Sequence, residues 1–321
     1  MKTELKTSLP RNKVLILLSA ASVICGLASC IFGELLLPLL IAPLGALYLF
    51  DTSSKKTYSI IVSVVLAVVN AVGLLIGITT TFFALCGITL AVILTYSFKR
   101  EQSKADSSYL MTVICAFFSF AGCIFLAMSE MGDFSFEAAK IFYTEFHDEL
   151  REAFLQAAIN TPEAGIDPEL IATIFDTQVR MIISYFLISA FAVVGLSMKL
   201  YSFIVKKCSA DEGQISSWRF GTTNIYAYSY IILIIASLFV MSTDNAFSVS
   251  VLNLYCFFLA VFAYVGFMST IDHLSVRMKR SKAVVILLVV SLLFSSFSMQ
   301  ILAVVGVMHT LKSNRKDKNA A

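Results

Sequence analysis

The chain has 321 residues, of which 58% are hydrophobic and only 14% charged, and its mean hydropathy is +0.85. It is too apolar and too poor in charge for a soluble domain of this length, so lipid must be its solvent. The formal charge of +3 gives no case for a nucleic-acid partner, because the bases sit in short clusters beside apolar runs, where they set orientation and meet anionic headgroups.

Lys2, Lys6, Arg11 and Lys13 precede a first apolar run at 14–32. The run ends in Leu27-Ala28-Ser29-Cys30, which imitates a lipoprotein signal. A second run begins at once at Leu35, however, and suits a first hairpin better than a cleaved leader. That second run, 35–50, carries Pro38 and Pro43; proline frees carbonyls that neighbouring helices or water must satisfy. A membrane helix needs about 20 apolar residues, and further runs lie at 58–77, 80–98 and 109–129, with Lys55/Lys56 and Lys99/Arg100/Lys104 between them.

Residues 130–180 differ in kind, carrying Glu130, Asp133, Glu137, Glu145, Asp148, Glu149, Glu152, Glu163, Asp167, Glu169 and Asp176 against Lys140, Arg151 and Arg180. Phe142, Phe146, Leu150 and Phe154 recur at every fourth residue with Glu145, Glu149 and Glu152 on a neighbouring stripe, which predicts an amphipathic helix. A second helix is predicted from Asp167-Pro168, a capping residue followed by a first-turn proline, running through Ile171, Ile174 and Phe175 into the next span. The two form an acidic helical hairpin over the exterior mouth of the bundle.

Spans follow at 180–205, 225–242 and 247–271, then a long apolar stretch at 283–308. All but Lys140, Arg151 and Arg180 of the 24 basic residues fit one side of this arrangement, so the positive-inside rule places the amino terminus in the cytoplasm. The last stretch leaves two readings open. One crossing sets Lys312, Arg315, Lys316 and Lys318 outside, against the rule; two short helices meeting near Ser295, Ser296 and Ser298 return them inside. The expected fold is therefore an all-α polytopic membrane protein. It has about nine membrane helices, eight spans plus a single or broken last one, in one membrane domain, 1–321, with 130–180 as an exterior insertion.

No motif states a reaction. His147-Asp148-Glu149 lacks the paired histidines of a helical zinc site, and His273 and His309 sit at membrane edges. Six cysteines fall inside apolar runs and Cys208 stands alone beside Lys206 and Lys207, so neither a disulfide nor a cysteine metal site is expected. No cofactor and no enzymatic activity are expected. Polar groups inside a membrane are costly unless they pair or face a cavity. Glu34, Asn70 and Asn253 are the candidates for reaching one; interhelical hydrogen bonds are the other use for such side chains.

The proline hairpin Leu36-Leu37-Pro38-Leu39-Leu40-Ile41-Ala42-Pro43, the acidic helices leading into Ile182-Ile183-Ser184-Tyr185-Phe186, Ser217-Trp218-Arg219-Phe220 and the closing Val305-Gly306-Val307 together resemble the YybS-like family of bacterial membrane proteins. That family is in turn similar to the substrate-binding subunits of energy-coupling-factor transporters, which bind a small molecule and borrow an ATPase module. The resemblance implies a single last helix. It also implies docking of the ATPase module through small residues at four-residue spacing, here Ala21, Cys25 and Ser29 or Ser22, Gly26 and Cys30. The expected function is a small-solute-binding transport subunit of the cell membrane. The alternative is a membrane scaffold whose exterior hairpin binds an envelope protein.

Overall fold

The computed structural model describes residues 78–99, 104–160, 167–208, 222–240, 245–277 and 298–319. The expected spans at 14–32, 35–50 and 58–77 lie outside these, as do Glu34 and Asn70. Every regular element among the described residues is a helix: α1 (Ile78–Lys99), α2 (Lys104–Met131), α3 (Phe136–Asn160), α4 (Pro168–Arg180), α5 (Ile182–Cys208), α6 (Asn224–Val240), α7 (Ala246–Arg277) and α8 (Ser298–Asn319). In lipid a helix satisfies its backbone internally. Ala105–Met131, Ile182–Leu200 and Ala246–Leu274 are long and apolar enough to cross a membrane, and Leu85–Leu94 and Asn224–Val240 are shorter apolar helices.

The described chain falls into two compact units, one holding α1 to α3 and the later part of α5, the other α4, the start of α5 and α6 to α8. In the first, α2 ends at Gly132, whose φ of +66° and N–H bond to the Ser129 carbonyl make a left-handed helix stop. Ser135 Oγ then accepts from Ala138 N at 3.1 Å, capping α3. This tight turn folds α3 back on α2, packing Ala139, Phe142 and Tyr143 on Ile124, Ala127 and Met128. The Tyr143 hydroxyl donates to the Cys123 carbonyl at 2.8 Å, and burial, with Cys123 beside it, pushes the phenol above its usual range.

Beyond that contact the predicted stripe parts company with the protein: Phe146, Leu150 and Phe154 are exposed. Only Phe142 of the four is packed inward. Glu145, Glu149 and Glu152 are exposed as well. α4 begins where the sequence places it, with Asp167 Oδ1 accepting from Glu169 N at 2.9 Å and Pro168 in the first turn.

In the second unit α6 packs on α7 through aromatic rings, Tyr230 stacking on Phe262 at 5.2 Å and on Tyr255 at 6.1 Å. α7 meets α8 by backbone contact. A Cβ on Gly266 would run into the Leu302 carbonyl, and one on Gly306 into the Phe262 carbonyl, with Gly266 N only 3.0 Å away. Thr270 Oγ1 bonds the Gly266 carbonyl at 2.7 Å and Thr310 Oγ1 the Gly306 carbonyl at 2.9 Å. Small residues are what allow membrane helices to approach this closely.

The contacts also fix direction. Gly266 lies against Gly306, and Ser269 Oγ against His309 Nδ1 at 3.0 Å, so advancing three residues along one helix advances three along the other. α7 and α8 are parallel. The pairing repeats in the sequence: Ala263-x-Val265-Gly266-x-Met268-x-Thr270 recurs as Ala303-x-Val305-Gly306-x-Met308-x-Thr310.

This corrects the single crossing at 283–308, of which residues up to 297 lie outside the described ones. Parallel helices put Arg277 and the end of α8 at the same end of this unit. Cysteines placed at Lys279 and Lys316 in a cysteine-free chain are expected to respond alike to an impermeant maleimide on intact cells, both shielded or both labelled; opposite responses would refute the parallel pair.

Candidate functional site

A buried amide with three backbone partners lies where α4 passes into α5. α4 ends at Arg180, Met181 follows with φ −96° and ψ 9°, and α5 begins at Ile182. In an uninterrupted helix Ser184 N–H would bond the Arg180 carbonyl. Here the side chain of Asn253, from α7, stands between them. Ser184 N donates to Asn253 Oδ1 at 2.7 Å, and Asn253 Nδ2 donates to Arg180 O at 2.7 Å and to Val249 O at 2.8 Å. One amide thus substitutes for one missing rung, and it is 2% exposed. The ladder holds on either side: Met181 N bonds Thr177 O at 3.0 Å and Tyr185 N bonds Met181 O at 3.2 Å. A side chain inserted into the ladder is a recognised cause of a helix kink.

Asn253 is positioned by the start of its own helix. Asn245 Oδ1 accepts from Ser248 N and Ser248 Oγ, both at 2.8 Å, which caps α7 and sets Asn253 two turns in. Cys256, one turn beyond Asn253, brings its sulfur to 3.9 Å from Met181 Sδ. Ser184 Oγ turns back to the Met181 carbonyl at 2.7 Å. Electrostatically the junction sets the negative end of α4, with Arg180 in its last turn, against the positive start of α5, so the two dipole ends offset each other.

Of the predicted site residues, Glu34 and Asn70 lie outside the described residues and Asn253 is the one whose surroundings are seen. Both of its N–H donors and one oxygen lone pair are taken by backbone, so it acts as a bridge between helices. Its partners Arg180 and Ser184, and the break at Met181, escaped sequence reasoning, since no glycine or proline marks the junction. The available signal was the amide itself, a buried group needing several partners. Nothing at the junction is a nucleophile paired with a base, and its chemistry is that of hydrogen bonding and of soft sulfur contact.

No curated protein and no solved structure matches the chain. A family model does, over residues 16–309, a range that takes in every described helix up to the end of the α7–α8 crossing and includes the Asn253 bridge. The chain belongs to the family of predicted membrane proteins DUF2232.

Proposed function

We propose that the protein is a non-catalytic, multi-pass subunit of the cell membrane, with about nine membrane helices and a cytoplasmic amino terminus. It binds a small solute at the exterior end of its bundle and takes energy for transport from a separate ATPase module. The observation that carries this reading is the break at Met181. Irregular backbone at membrane depth is tolerated where protein or a cavity satisfies it, and broken helices are the usual means by which transporters present backbone groups to a solute. A helix break bridged by a side chain of another helix is a joint, and α4 is the segment it would let move. Glu34 and Asn70 complete the proposed lining.

Thermal unfolding of the purified protein against vitamins, their precursors and nucleobases tests the reading. A solute at a hundredfold excess over its dissociation constant is expected to stabilise the fold by about 2.7 kcal/mol, and Glu34→Gln or Asn70→Ala to reduce that shift. A screen without a stabilised hit would count against it. The exposed Phe134, Phe136, Phe146 and Phe154 support a second reading, a scaffold that engages an envelope protein. Purification of the tagged protein with one stoichiometric membrane or envelope partner, in the absence of any solute hit, would favour the scaffold.

A further inference from the structure

In the first unit α1 and α2 run antiparallel, as the stack of Phe82 on Phe125 at 4.8 Å shows near one end. Their packed faces bring together two cysteines that are far apart in sequence. Cys86 and Cys115 are 0% and 2% exposed and both are free thiols. Their side chains are hydrogen-bonded to one another, and the Ser119 hydroxyl donates to the Cys115 carbonyl at 2.9 Å. Buried Leu90, Leu94 and Met111 continue the same packed faces.

We propose that Cys86 and Cys115 form an intramembrane dithiol that peroxide closes to a disulfide, clasping α1 to α2. Charge decides against a metal site. Two thiolates around a soft monovalent cation leave a net negative charge in an apolar setting, which is costly, whereas the dithiol and the disulfide are both neutral. Peroxide is small and uncharged and reaches a buried pair through lipid. One of the two sulfurs attacks one peroxide oxygen; the O–O bond breaks, giving a sulfenic acid and one water. The other sulfur then attacks the oxidised one, and the sulfenic oxygen leaves as a second water. Two thiols lose two protons and two electrons, and one peroxide becomes two waters.

The test uses the full chain in membranes with Cys25, Cys30, Cys123, Cys208 and Cys256 changed to Ser, leaving this pair. After hydrogen peroxide the protein is unfolded in detergent and treated with a mass-tagged maleimide. The expected result is loss of both tags together and recovery of both with dithiothreitol, while Cys115→Ser in the same chain keeps its one tag. Two tags retained at a peroxide dose that oxidises the unfolded chain would overturn the proposal, as would loss that dithiothreitol does not reverse. Peptide mass spectrometry of the unmodified protein guards against misfolding of the serine variant. A Cys86–Cys115 linked peptide supports the clasp, and linkage of either residue to a different cysteine refutes it.

Discussion

Gly266→Ala and Gly306→Ala are each expected to lower the stability of the purified protein by about 3 kcal/mol or more, the upper part of the range for overpacking a core. The reason is what the added methyl would meet. At both positions the nearest atoms are backbone, the Leu302 carbonyl for one and the Phe262 carbonyl for the other, and a backbone atom in a helix has no rotamer through which to move aside. The helices have to separate, which opens the packing of Phe262, Ala263, Leu302 and Ala303 with Tyr230. Gly195→Ala is the control, since nothing lies within 4 Å of its added Cβ. Relief of glycine's backbone entropy in a helix is expected to leave that variant neutral or more stable by about 0.5–1 kcal/mol. Thermal unfolding in one detergent compares the three. Equal behaviour of Gly266→Ala and Gly195→Ala would show that α7 and α8 do not touch through their backbones.

Asn253→Leu is expected to have the second large effect. The leucine fills nearly the same volume but leaves the Arg180 carbonyl and the Ser184 N–H without the partner that now serves both. An unsatisfied buried backbone group costs roughly 1–3 kcal/mol, so the pair amounts to about 2–6 kcal/mol. The Val249 carbonyl loses less, because the ladder of its own helix still reaches it. Ser184→Ala removes the bond from Oγ to the Met181 carbonyl and a longer contact to the Met181 sulfur, and about 1 kcal/mol or less is expected. If Asn253→Leu unfolded at the temperature of the unaltered protein, the α4–α5 ladder would have to close without the amide.

What the sequence disclosed and what it hid divide along physical lines. Runs of apolar residues located α1, α2, α5, α6 and α7 to within a few residues, because span length is set by the thickness of lipid. Asp167-Pro168 announced the start of α4, since capping is chemistry between near neighbours. The last stretch was left with two readings because hydropathy carries no direction: 283–308 is equally apolar whether the chain crosses or turns. The glycines that settle it stand in a repeat whose two copies are dissimilar between their shared positions, Tyr264 against Val304 and Phe267 against Val307. The break at Met181 was hidden for a related reason. It is imposed by Asn253, far along the chain, and local propensity around Arg180 and Ser184 contains no trace of that residue. The pairing of Cys86 with Cys115 likewise depends on how two helices lean together, which spacing alone does not express.

The parallel crossing of α7 and α8 also says something about how the molecule is made. Helices joined by a tight turn can pair as soon as the ribosome releases the second, but α7, which ends at Arg277, has to wait until the chain has been made as far as Ser298 and beyond. Until Ser298–Asn319 has been synthesised, the bare strip at Gly266, with Ala263 and Phe262 beside it, stands open to lipid. Assembly of this unit therefore waits for α8. A product interrupted just after Arg277 would carry an uncovered seam that quality-control proteases of the membrane could recognise.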